Sequence, residues 1–175
     1  MNFGNIKFCD IANGEGVRTS LFVSGCKNHC KLCFNPETWD FKYGEEFTDE
    51  TIKKIMDSLK PSHISGLSLL GGEPMEIENQ EVLSNLVTLV KKKYPKKTIW
   101  VYTGYLFDKD LKEGGKRYTE YTDKFLSQVD ILIDGKFEND LKDITLQFRG
   151  SKNQRIINVP KSIKEGSVVT EARFK

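Results

Sequence analysis

Cys26, Cys30 and Cys33 fall within eight residues of one another, in the run Gly25-Cys26-Lys27-Asn28-His29-Cys30-Lys31-Leu32-Cys33-Phe34. A segment that carries its thiols this closely has to coil around something small. Thiolates are soft ligands that select iron–sulfur clusters or zinc. A 4Fe-4S cluster normally takes a thiolate on each iron. A loop that supplies only three such groups wraps three corners of a cubane and leaves the last iron open to a substrate. The spacing alone also admits a zinc site, completed by His29 or Cys9. His29 directly precedes Cys30, so folding both onto one zinc would strain the loop, and His29 is read as a loop residue. Cys9 stands apart and is read as a small hydrophobe in a strand.

The rest of the chain alternates short apolar runs with helical patterns, which indicates βα units in an α/β fold. Ile6 to Cys9 reads as a short first strand, Asn13 to Gly16 as a turn, and Val17 to Val23 as a strand that delivers the cysteine loop. Thr48 caps a helix whose buried face is Ile52, Ile55, Met56 and Leu59, and Pro61 stops it. Gly66 to Leu70 reads as a buried strand followed at once by Gly71-Gly72-Glu73-Pro74. Val82, Leu83, Leu86, Val87 and Val90 mark the next helix. Thr98 to Tyr102 and Asp130 to Ile133 are further strands, ending at Thr103-Gly104 and Asp134-Gly135-Lys136, with a weaker helix over about 119–128 between them. In residues 162–174 a turn at Gly166 and some alternation suggest a strand or hairpin. No repeat or second domain is visible, so residues 1–175 read as one domain, with 158–175 as an added strand or a tail that docks on a partner. Ligands of parallel β/α sheets sit at the carboxyl ends of strands. The cysteine loop, the Gly71–Pro74 turn, Thr103 and Asp134 are therefore expected on one rim.

Charge narrows the partners. The 27 basic and 25 acidic residues nearly cancel, which is no footprint for nucleic acid. The densest basic run, Lys91 to Lys97, falls at a helix C-terminus, where cations complement the macrodipole. No apolar run is long enough to cross a bilayer, and no secretion signal opens the chain. A cytoplasmic location follows, where grouped cysteines mean metal or redox chemistry rather than disulfides.

Cys-x3-Cys-x2-Cys resembles the signature of the radical S-adenosylmethionine (SAM) superfamily. Gly71-Gly72-Glu73-Pro74, which alone reads equally as a Gly-Gly turn before a helix, resembles that superfamily's motif for the SAM amino group. The stretch Asp10 to Arg18 resembles the N-terminal segment of glycyl-radical-enzyme activases, although they commonly have Gly-Pro-Gly where this chain has Gly14-Glu15-Gly16. Phe34 to Trp39 is similar to the segment after their cluster loop. Trp100 to Tyr105, Asp134 to Phe137 and Phe148 to Gln154 resemble the activases that serve the anaerobic ribonucleoside-triphosphate reductase. The likeness spans roughly residues 3 to 157.

The resemblance implies a partial, incomplete β/α barrel of the radical SAM type, with about five or six mostly parallel strands, well short of a full barrel. It implies one 4Fe-4S cluster on Cys26, Cys30 and Cys33, with SAM on the open iron. It implies adenine contacts from the main chain of Leu32, Cys33 and Phe34, since Leu32 stands where many members carry an aromatic residue. Lys136 would reach the SAM carboxylate, and Asp134 with Thr103 would hold a monovalent cation; a plain turn with solvated charges is the other reading of Asp134–Lys136. Arg149 and Asn153 would either contact the adenosine or brace their loop. Electrons would come from a flavodoxin-like donor, and the 5′-deoxyadenosyl radical would take hydrogen from a glycine of the reductase. The alternatives are activation of another glycyl radical enzyme, a small-molecule radical SAM reaction such as deazapurine ring contraction, an iron–sulfur electron carrier, or a zinc module.

Overall fold

The computed structural model describes residues 1–174. Among them one sheet holds seven strands: β1 (Asn2–Asp10), β2 (Val17–Val23), β3 (Glu45–Glu46), β4 (Ile64–Gly71), β5 (Thr98–Tyr102), β6 (Ile131–Asp134) and β7 (Arg155–Asn158). Their order is β3-β1-β2-β4-β5-β6-β7. The four central strands β2, β4, β5 and β6 run parallel. Antiparallel strands close both sides, with β1 and β3 at one edge and β7 at the other. The sheet is thus larger and more mixed than the expected five or six mostly parallel strands. The excess lies in β1, β3 and β7, which pair antiparallel and need no crossover helix to announce them.

Helices α1 (Asp49–Ser58) and α2 (Ile77–Lys93) supply the long crossovers. The backbone N–H of Thr48, at the N-cap of α1, donates to Thr51 Oγ1 at 3.3 Å, which ties down one otherwise unpaired donor. Ile55 from α1 and Leu59 at its C-cap, with Leu83, Leu86, Val87 and Val90 from α2, pack on Leu21, Leu67, Leu69 and Val101 of the sheet, all without solvent exposure. Each fully buried aliphatic side chain of this kind contributes about 1.5–3 kcal/mol. At the end of α2, Lys91 pairs with Asp130 at 2.7 Å. The weak helix expected over 119–128 is the five-residue α3 (Thr122–Leu126).

The opposite face carries Trp100, Ile131, Ile133 and Ile156, covered by Phe148 and Phe174. Arg18 is buried there as well. All its donors are met: Nε by Ser68 Oγ at 2.7 Å, Nη1 by Thr98 Oγ1 at 2.9 Å and the Glu15 carbonyl at 3.2 Å, and Nη2 by the carbonyls of Leu67 at 3.0 Å and Thr98 at 2.8 Å. Its guanidinium also lies over the Trp100 ring. In the C-terminal stretch, where alternation suggests a strand, the structure has helix α4 (Val159–Glu165) with Asn158 as N-cap and Gly166 in the left-handed conformation after it. Beyond it Thr170 makes a single antiparallel bridge to Ile157. Among the described residues no helix is long and apolar enough to cross a membrane.

Candidate functional site

Parallel pairing aligns the carboxyl ends of the central strands. Val23 lies opposite Gly71, and Tyr102 opposite Ile133. The cysteine loop, Gly71–Pro74, Thr103–Gly104 and Asp134–Lys136 therefore emerge side by side on one edge of the sheet.

Between the first two of these segments the contact is main chain to main chain. Gly72 N–H donates to the Val23 carbonyl at 2.7 Å and Glu73 N–H to the Gly25 carbonyl at 2.9 Å. A Cβ on Gly72 would stand 2.8 Å from the Gly25 oxygen and 2.9 Å from that of Thr38. Gly71 has φ +105°, where an added Cβ would meet Phe22 main chain at 2.7 Å. Both glycines are required because two backbones pass each other here without room for a side chain. Gly25 and Cys26 donate in turn to the carbonyls of Thr38 and Trp39, at 2.8 and 3.2 Å, so the loop is anchored at both ends of its own excursion.

Glu73 is buried and joins three segments. Its Oε2 accepts from Asn28 Nδ2 at 2.9 Å and from Gly104 N–H at 2.7 Å, while Oε1 accepts from Met75 N–H at 2.9 Å. Burial pushes its carboxyl up to about 7, against the pull of hydrogen bonds from Thr103, Gly104 and Met75. Glu76, which the sequence did not single out, does a parallel job. It is fully buried, and its Oε1 accepts from Lys27 N–H at 2.8 Å and from Tyr105 OH at 2.7 Å. Its Oε2 lies 3.3 Å from Arg117 Nε. Only its place beside Glu73 in an otherwise apolar turn hinted at this.

The three thiols sit in one coil. His29 and Leu32 adopt positive φ of 46° and 58°, a conformation that costs non-glycine residues roughly 1–3 kcal/mol and is concentrated at functional sites. Burial pushes Cys26 up to about 12, helped by the nearby Glu73 charge. Burial also raises Cys30, which the Lys136 ammonium and the Phe137 N–H oppose. Cys30 is close enough to Cys26 and to Cys33 to perturb one and be perturbed by the other. Yet among the described residues no three His, Cys, Asp or Glu side chains gather about a point that would hold a single ion.

The proposed completions of a zinc site do not fit. Cys9 lies in β1 but is exposed, at φ 54°, within an irregularity between Lys7 and Asp10. It is therefore not the buried small hydrophobe expected. The β1–β2 register pairs Phe3 with Val23 and Asp10 with Arg18, which puts Cys9 at the end of the sheet away from the cysteine loop. His29 packs its ring on Trp39, with centroids 4.6 Å apart.

A cleft of about 570 Å³ opens beside the loop, lined by Lys27, Asn28, Gly104, Gly135, Lys136 and Asn153 among others. That volume is in the range of small-molecule sites. Lys136 is exposed at its edge; Leu32 and Phe34 are also exposed, at 69% and 88%. Arg149 Nη1 donates to the Gln154 carbonyl at 3.1 Å and Asn153 Nδ2 to the Lys136 carbonyl at 2.8 Å, so both make bracing contacts within this loop and turn. Thr103 and Asp134, expected to hold a monovalent cation, both have protein partners in this structure. Thr103 Oγ1 accepts from Tyr105 N–H at 3.1 Å. Asp134, fully buried, is taken by Arg155 through Nε at 2.8 Å and Nη2 at 2.6 Å, and by Phe107 N–H at 2.8 Å.

The grouped thiol loop stands on the rim of a mixed α/β sheet at the ends of its parallel central strands, and the family model for a 4Fe-4S single cluster domain matches residues 12–157. That match supports an iron–sulfur cofactor. Three relatives narrow the class, each named anaerobic ribonucleoside-triphosphate reductase-activating protein. The one from Enterobacteria phage T4 is 43% identical over 156 residues, covering 89% of this chain and 93% of the relative. The one from Haemophilus influenzae is 41% identical over 158 residues, covering 89% and 97%. The one from Escherichia coli K12 is 38% identical over 156 residues, covering 88% and 96%. The chain belongs to the family of anaerobic ribonucleoside-triphosphate reductase-activating proteins.

Proposed function

We propose that this chain is a radical SAM activating enzyme on a single-domain partial β/α barrel. A 4Fe-4S cluster is held by Cys26, Cys30 and Cys33, SAM lies between the Gly71–Pro74 segment and the Lys136 edge of the neighbouring cleft, and the substrate is the anaerobic ribonucleoside-triphosphate reductase. The observation that carries this reading is the pair of main-chain bonds from Gly72 and Glu73 to Val23 and Gly25, which fixes the Gly71–Pro74 segment against the base of the cysteine loop. A ligand held by that segment would lie next to whatever the thiols bind.

Cys26, Cys30 and Cys33 would hold the cluster, which when bound would supply one electron for reductive cleavage of SAM and so radical chemistry directed at a glycine Cα of the partner. The chain's own residues position and shield. The Gly71–Pro74 segment seats the SAM amino group, and Glu73 holds that segment to Asn28 and Gly104. Lys136, at the mouth of the cleft with Lys27, Lys109, Lys116 and Arg117, favours the SAM carboxylate by charge. The main chain of Leu32, Cys33 and Phe34 borders the adenine. No side chain is needed as a general base, because the cofactors carry the hard chemistry. A flavodoxin-like protein is the proposed electron donor.

The test is anaerobic mixing of cluster-reconstituted protein, SAM, a reductant and the reductase. A glycyl-radical signal in electron paramagnetic resonance, dependent on all components, is expected. Its absence with an intact cluster would remove the assignment of this partner.

A further inference from the structure

Three consecutive residues, Asn153, Gln154 and Arg155, each hold one residue of the Asp134-Gly135-Lys136 turn. Asn153 Nδ2 donates to the Lys136 carbonyl at 2.8 Å, and Gln154 Nε2 to the Gly135 carbonyl at 3.0 Å. Arg155 grips the Asp134 carboxylate through both Nε and Nη2. The same guanidinium extends to Asp108, with Nη2 at 2.8 Å from Oδ1. Phe107 N–H completes the shell around Asp134 at 2.8 Å. Arg155 opens β7 and faces Asp134 across the antiparallel register, so strand pairing puts the guanidinium in place before any ligand arrives.

We propose that Arg155 is a positioning residue that serves as the built-in cation of this rim. It neutralises buried Asp134, ties it to the 105–108 loop and thereby sets the turn that presents Lys136, a task that would otherwise fall to a bound monovalent cation. Asp134 offers about four lone-pair sites, and the three donors named here fill both sites of Oδ2 and one of Oδ1, so its charge is already matched by the guanidinium without a metal ion. A bidentate arginine also fixes direction, which a spherical ion does not. The part concerning Lys136 and SAM rests on the radical SAM reading; the replacement of a free cation does not.

The experiment is thermal unfolding of the full chain, isolated anaerobically, in potassium, sodium or choline chloride at equal ionic strength, with SAM affinity measured in parallel. The unsubstituted protein should unfold at the same temperature in all three salts. Arg155→Gln should unfold about 10 °C lower in choline, because a buried charge loses its partner, and potassium or sodium should recover part of that shift. Arg155→Lys should stay indifferent to the choice of cation. Saturable stabilisation of the unsubstituted protein by potassium or sodium over choline overturns the proposal, as does an Arg155→Gln variant that folds but ignores the cation. If Arg155→Gln does not fold, the unsubstituted protein and Arg155→Lys still decide. Loss of SAM binding everywhere, with the cation pattern intact, would count against the radical SAM reading alone.

Discussion

Asn28 Nδ2 lies 2.9 Å from Glu73 Oε2, so the cysteine loop and the exit of β4 share a side-chain hydrogen bond as well as main-chain ones. The same carboxylate oxygen takes Gly104 N–H from the end of β5. One buried acid thus sets the spacing of three rim segments. Hydrogen bonds to charged groups contribute about 1.5–3 kcal/mol. Asn28→Ala should therefore weaken SAM binding by about tenfold or more, while iron content stays unchanged. Equilibrium binding to the reconstituted protein checks this; equal affinity would deny Glu73 its positioning role.

Gly72→Ala should lower iron retention and stability together. Its Cβ would press on three main-chain oxygens, of Gly25, Thr38 and Val23, at 2.8, 2.9 and 3.0 Å. Backbone cannot yield as a side-chain tip can, so a cost of about 1–3 kcal/mol is expected. Denaturant melts with iron and sulfide analysis measure both effects. A variant as stable and iron-rich as the parent would show that the two backbones are not in close passage.

Cys26→Ala, Cys30→Ala and Cys33→Ala should each lose the cluster, and Cys9→Ala should keep it. Cys9 sits on an exposed irregularity near the Arg18 end of the sheet, remote from the thiol loop. Iron per chain after anaerobic reconstitution is the readout. Iron lost on Cys9 substitution would require a fourth protein ligand and would close the vacancy for SAM.

Arg18→Lys should destabilise the fold by about 3 kcal/mol, since an ammonium cannot reach the five acceptors that the guanidinium meets and one bond to a charged group is worth about 1.5–3 kcal/mol. Burial already draws the Arg18 pKa down to about 10, so any acceptor left unmet is unmet inside the protein. Urea unfolding measures the loss. Because Arg18 lies at the amino end of β2, the cluster spectrum of the folded fraction should be unchanged.

The rim was legible because each of its segments follows an apolar run that stops at a small or polar residue: Ser24, Gly71, Thr103 and Asp134. The helix ending at Lys91–Lys93 was legible from its periodicity. Glu76 was not, because its importance comes from Lys27, Tyr105 and Arg117, which reach it from elsewhere in the chain. Arg155 was hidden for the same reason: its value depends on an antiparallel pairing with β6 that no local pattern reports. In the tail, Asn158 before Pro160 and the glycine at 166 are helix-boundary signals. The weak alternation over residues 162–174 pointed instead to a strand or hairpin, and up to Glu165 the capping residues prevailed.

The most direct test of the central claim is release of 5′-deoxyadenosine by the anaerobically reconstituted protein given SAM and dithionite. The 5′-deoxyadenosine should appear only with reductant and vanish in Cys26→Ala, Cys30→Ala and Cys33→Ala. An intact cluster with bound SAM and a supplied electron, but no 5′-deoxyadenosine, would contradict that claim.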